Sequence, residues 1–258
     1  MDKHFTSQRC VGASCIVHAW QTRERSYQAQ IQECHKDIKT LFRICHPNVL
    51  EVIEGVFQGT HEPLMVMELT HNGSLRDILS NETIDCGEFL TQIVKDIVVG
   101  MRFLHTEGIV HGDLKARSIL IDASFRAQIS NLQTKRVPWA AQRARTELWS
   151  APELITGEAL YVDKLTDIYA FGILLFEAFT RQEPYAGQDV RSVMRMVSQG
   201  FRPTAPEDCP SKAVNIMEKC WAQRRERRFP KASKRFTHSS KPWTFQASSS
   251  IRGGRRLR

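Results

Sequence analysis

The stretch His111-Gly112-Asp113-Leu114-Lys115-Ala116-Arg117-Ser118-Ile119-Leu120 sets an imidazole, a carboxylate and an ammonium within five positions and then turns apolar. Before it, Phe89, Ile93, Ile97, Gly100, Met101 and Leu104 recur mostly at spacings of three and four. That is the period of one helix face, so a helix is expected from about Glu88 to Thr106. After it, Ile119 to Ile121 and Ala127 to Ile129 are short apolar runs that read as a strand pair. The ten residues therefore form a polar connection between a long helix and two strands.

Working outward, the chain after Pro152 is mostly helical, and Ile168 to Phe179 is apolar nearly all round. Such a helix lies in the middle of a domain. It is too short to cross a bilayer and carries Glu177, so no membrane span is expected. On the other side, Asn72-Gly73-Ser74 is a turn, with Ser74 placed to cap a helix from Leu75 to Leu79. Val49 to Phe57 and Leu64 to Met67 read as paired strands, and Ser14 to Trp20 as a further strand. Between them Tyr27, Ile31, Cys34, Ile38, Leu41 and Phe42 mark a helix face. His46-Pro47 ends it, because the residue before a proline is pushed out of the helical region.

With 258 residues and 41% hydrophobic content, the chain can bury one sizeable core or two lobes sharing an interface. The seven cysteines are scattered and show no zinc-type spacing, which points to reduced thiols inside a cell. The polar start, Met1 to Arg9, does not read as a signal peptide. Net charge is +8, but eight of the 36 basic residues lie between Lys231 and Arg258, where no acid occurs. The remaining 28 balance the 28 acidic residues. A tail so rich in Ser, Gly, Arg and Lys cannot bury enough apolar surface to fold alone. The charge is therefore a property of the tail, and nucleic acid is not an expected partner.

Four ordered segments carry a family resemblance. His111 to Ser118 is similar to the HRDLKxxN catalytic loop of protein kinases. Ala151-Pro152-Glu153 resembles the APE motif, and Asp167-Ile168-Tyr169-Ala170-Phe171-Gly172 resembles the segment opening the central helix. Cys220-Trp221, followed by Arg228, matches the segment whose arginine pairs with the APE glutamate. Glu68, Gly73-Ser74-Leu75 and the run Pro206 to Pro210 are similar to the tyrosine-kinase and tyrosine-kinase-like branches. The resemblance implies that Asp113 orients the substrate hydroxyl and that Lys115 lies beside the transferring phosphoryl group. It also implies that His111 and Asp167 brace the loop and that Glu153 and Arg228 form a buried ion pair.

Against that family the sequence departs at four places. No lysine occurs from His4 to His35, and Gln21 falls where the phosphate-gripping lysine should be, with Asp37 in place of the helix glutamate. Val11-Gly12-Ala13-Ser14 holds one glycine where the phosphate-covering loop has three. The two magnesium positions fall on Ser118 and Asn131, neither of which supplies a carboxylate. Gly112 replaces the arginine that clamps a phosphorylated activation loop.

The resemblance implies an α+β, bilobal protein-kinase-like fold, with a small, incomplete β-rich N-lobe and a larger, mainly helical C-lobe. The expected limits are a kinase-like domain over 1–230, divided into a partial N-lobe (1–67), a hinge (68–71) and a C-lobe (72–230), then a disordered basic tail (231–258). Together with the departures, it leads us to expect no enzyme but a pseudokinase, serving as a signalling scaffold or allosteric binding module for a protein partner, itself a kinase or an effector, in the cytoplasm. Two alternatives stand beside it: an atypical serine/threonine or tyrosine kinase with weak ATP-dependent transfer through Asp113, or a truncated product of a longer kinase gene. No cofactor is firmly expected. Ala19, Met67, Leu69 and Leu120 are the candidate adenine pocket, which would take ATP without magnesium or else close as dry core.

Overall fold

The computed structural model describes residues 4–9, 15–21, 41–56, 64–85, 87–132, 147–207 and 209–228. The predicted helix from Tyr27 lies outside these residues except for Leu41 and Phe42, as do Gly12, Asp37 and the tail from 231.

The smaller lobe is a four-stranded antiparallel sheet of β1 (His4–Arg9), β2 (Cys15–Gln21), β3 (Val52–Val56) and β4 (Leu64–Glu68), in the order β1-β2-β4-β3. The β3–β4 ladder breaks register between Val52 and Glu54. Strand β1 has no counterpart in the sequence-based reading. Its run HFTSQR is mostly polar and acquires strand form by pairing along its whole length with β2.

The larger lobe begins at α1 (Leu75–Ser80), where Ser74 and Asp77 form a reciprocal cap: Asp77 N–H donates to Ser74 Oγ and Ser74 N–H to Asp77 Oδ2. Helix α2 spans Gly87–Thr106, and β5 (Ile119–Ile121) pairs with β6 (Ala127–Ile129) as expected. Then come α3 (Pro152–Ile155), α4 (Lys164–Thr180), α5 (Val190–Ser198) and α6 (Ser211–Cys220). The expected apolar helix is thus longer at its start. Asp163 accepts from Leu165 and Thr166 N–H, and Thr166 Oγ1 accepts from Asp163 N–H, so the cap sits five residues before Ile168. Among the described residues no helix is long and apolar enough to cross a membrane.

Two apolar cores stack along the lobe. One joins Leu50, Val52 and Met67 from the sheet side to Ile93 and Ile97 of α2 and to Ile119, Ile121 and Ile129. The other gathers Ile173 and Phe176 of α4 with Val193, Val197, Met217 and Trp221. Gly100 permits α2 to approach so closely that a Cβ there would meet Asn48 O and Ile129 Cδ1, each at 2.7 Å. The segment 48–50 is consequently stitched to β6: Ile129 N–H donates to Asn48 O at 3.0 Å, Leu50 N–H to Ile129 O at 2.9 Å, and Asn48 Nδ2 to Ala127 O at 3.1 Å. Cys209 and Cys220 are buried and Cys45 is exposed. Burial pushes the Cys220 thiol up to about 12, which suits an apolar filler.

Candidate active site

The loop from His111 to Ser118 is held from below by Asp167 at the start of α4. This carboxylate is 2% exposed. It accepts from His111 N–H and Gly112 N–H, both at 2.8 Å, and contacts His105 Nε2 at 2.8 Å. Buried anions persist only when so paired. His111 is fully buried, and its Nδ1 accepts from Asp113 N–H at 3.1 Å, which leaves Nε2 to donate to Ser130 O at 2.9 Å. Burial is the main cause that lowers the His111 pKa, and it outweighs the opposing pull of Asp167 and Asp113. The ring is neutral, and it fixes the backbone of the residue that carries the candidate base. Gly112 takes φ 76°, a conformation that strains residues with a Cβ.

The side chains of Asp113 and Lys115 come together at the top of this brace, with Lys115 Nζ 2.8 Å from Asp113 Oδ1. Asp113 also borders a small cleft that Trp149, Ser150, Leu154 and Val162 line with it. The expected pair between Glu153 and Arg228 is present and bidentate, at 2.6 and 2.7 Å, with Arg228 fully buried. Arg228 also donates to Ala222 O and Leu165 O, so α3, α4 and the chain after α6 are tied at one point.

The two positions assigned to magnesium do not fit the ion. Ser118 is fully buried, and its hydroxyl is engaged with its own turn: Oγ donates to Lys115 O at 2.8 Å and accepts from Lys115 N–H at 3.0 Å. Asn131 is exposed at φ 60° and offers a neutral amide where a hard cation prefers a carboxylate. Among the described residues no group of three or more His, Cys, Asp or Glu could hold a metal.

Of the candidate adenine-pocket residues, Met67 is buried in the upper core and Leu120 packs half-buried against it. Leu69 is half-buried in the hinge. Ala19 lies on β2, opposite Leu64 of β4, and its side chain is outside the described residues. Two neighbours escaped the sequence-based reading. Gln128 reaches from β6 to donate to Glu68 Oε2 at 3.2 Å, joining the hinge to the lower lobe. Glu177 accepts from both Ala116 N–H and Trp149 Nε1. Its only sequence signal is a single acid inside an apolar helix.

Comparison with known proteins follows the same outline. The family model for "Protein tyrosine and serine/threonine kinase" matches residues 8–234. A "Probable LIM domain-containing serine/threonine-protein kinase" of Dictyostelium discoideum is 35% identical over 196 residues, covering 74% of this chain and 30% of its own length. The "Probable serine/threonine-protein kinase drkD" of the same organism is 32% identical over 197 residues, covering 74% of this chain and 15% of its own. Its "Dual specificity protein kinase shkA" is 27% identical over 208 residues, covering 75% and 39%. The chain thus spans well under half the length of these curated relatives. Their names overturn one expectation from the sequence: the relatives are enzymes, so the departures at Gln21, Ser118 and Asn131 do not remove this chain from a catalytic family.

Proposed function

Because this chain belongs to the protein tyrosine and serine/threonine kinase family, we propose that it is an atypical serine/threonine protein kinase domain. In this reading it transfers the γ-phosphoryl group of ATP, weakly, to a hydroxyl of a protein substrate. The observation that carries the reading is the Asp113–Lys115 pair, whose aspartate borders a small cleft and whose loop is held by the buried His111–Asp167 brace. Asp113 accepts the substrate hydroxyl and aligns it, and Lys115 lends positive charge to the phosphoryl group. A positioned base contributes typically ~10²–10⁴-fold, which sets the scale of activity for a site short of other aids.

The family uses ATP with magnesium, but the Ser118 and Asn131 positions do not fit the ion, so no step here runs through it. The reading takes Ala19, Met67, Leu69 and Leu120 as the adenine wall and places the nucleotide without a metal bound to the protein. It also takes 1–230 as the catalytic domain and 231–258 as a basic tail, in a protein of the tyrosine-kinase-like branch working in the cytoplasm. Protein substrates and partners suit the fold.

The test is transfer of labelled γ-phosphate to a serine/threonine peptide library by the purified chain, beside Asp113→Asn. We expect slow labelling by the wild type, reduced at least ~100-fold in the variant. Equal labelling by the two proteins would end the reading. Thermal unfolding with ATP in EDTA, then in magnesium, checks the nucleotide. A ligand at 100 times its Kd stabilises by ~2.7 kcal/mol, so a shift that is the same in both is expected.

A further inference from the structure

Glu177, in the last turn of α4 and 1% exposed, collects groups from three distant parts of the chain. Its Oε2 accepts from the catalytic-loop Ala116 N–H at 3.1 Å and from the Trp149 indole N–H at 2.8 Å, while Oε1 lies 3.8 Å from Arg76 Nη1. Burial holds its carboxyl above the ordinary range, against the pull of those donors. The indole is therefore tethered at its nitrogen, which leaves its face to be presented elsewhere. That face meets Lys115, whose Nζ stands 5.7 Å from the ring centroid, within the range of cation–π attraction. The same ammonium contacts Asp113, and Trp149 and Asp113 border one cleft.

We propose that Trp149 is a positioning residue of the phosphotransfer site: tethered by Glu177, its ring holds the Lys115 ammonium against Asp113. The contact links the turn Glu147–Trp149 to the loop that orients the hydroxyl, so the lysine is placed before ATP arrives. The role in turnover rests on the phosphotransfer reading above, whereas the contact itself is measurable without turnover.

Lysines of the purified chain are acetylated with a succinimidyl ester, and labelling of Lys115 is compared by mass spectrometry with that of exposed Lys95. Trp149→Leu should raise relative Lys115 labelling about tenfold, the scale of a partly desolvated cation–π contact. Trp149→Phe keeps an aromatic face but loses the tether, and should recover at least about half of the protection. Phe and Leu variants that label alike, or a Leu variant that labels like wild type, would overturn the proposal. Circular dichroism identifies any variant that has not folded, and the milder Phe variant keeps the comparison decisive. In turnover, Trp149→Leu should lower kcat about tenfold with KM for ATP within about twofold, and a change in KM alone would count against a role in placing the reacting groups. Wild-type transfer no greater than that of Asp113→Asn removes the phosphotransfer reading, while Lys115 labelling still decides the contact.

Discussion

The brace beneath the His111–Ser118 loop and the two positions where the family holds magnesium meet at Ser130, whose carbonyl accepts from His111 beside Asn131, yet they are built differently. His111, Asp167, Glu153 and Arg228 are buried ionisable groups whose partners are all present, and each is answered by an opposite charge or a backbone group. Ser118 and Asn131 occupy comparable places along the chain, but one hydroxyl closes its own turn and the other side chain points into water without a charge. The difference separates two demands on the same fold. Burying a charge is so costly that losing its partner takes away ~3–5 kcal/mol, a large share of a domain's stability. A missing ligand for a metal or phosphate costs the folded state nothing. Stability therefore guards the frame and is indifferent to the chemistry.

Removing one partner of the buried pair is the strongest way to test that contrast. Arg228→Ala should lower the unfolding free energy by ~3–5 kcal/mol in urea titration, because Glu153 is left buried without its counter-charge. A loss below ~1 kcal/mol would mean that the frame does not depend on its charges. Next in size, Gly100→Ala inserts a methyl against Asn48 O and Ile129 Cδ1 and should cost ~1–3 kcal/mol.

Acid should act on the frame through His111. The folded protein holds the ring neutral, whereas the unfolded chain protonates it around 6.5. The unfolded state therefore binds more protons as pH falls below that value, and stability must decline from about pH 6.5 downward. Glu177, with its pKa raised above 4.5, works the opposite way nearer the acid end. Urea midpoints at pH 7.5 and 5.5 should show the decline, and His111→Gln should flatten it. The smallest effect belongs to Asn131→Asp, which should change stability by less than ~0.5 kcal/mol at an exposed site. The left-handed backbone there suits aspartate as well as asparagine. The same variant sharpens the comparison if it makes stabilisation by ATP magnesium-dependent when the wild type is not.

How far the sequence carries depends on the range of the interactions that decide each feature. The β5–β6 pair, the Ser74 cap and the body of α2 rest on local pattern, and each is where the residues place it. The start of α4 was also legible in Asp163 and Thr166, whose spacing is that of a reciprocal cap, but the apolar run drew the boundary inward. By contrast β1 carries little apolar pattern and takes its form from pairing with β2. Motif spacing marked Asp113, Lys115, His111 and Asp167, and their polar contacts follow from it. Glu177 was beyond reach, since its donors lie 28 and 61 residues away and no periodicity connects them. Gln128 and Glu68, 60 residues apart, are hidden for the same reason.

The seam between residues 48–50 and β6 bears on where this protein can be cut. Asn48 and Leu50 precede the hinge in sequence but exchange backbone hydrogen bonds with Ile129, and Gly100 is shaped to receive them. An excised helical half beginning at Asn72 would strip Ile129 of both backbone partners and leave bare carbon over the middle of α2. A fragment that starts near His46 keeps Asn48 and Leu50 on Ile129, so a cut that leaves this seam whole takes in part of what the chain order would assign to the other half.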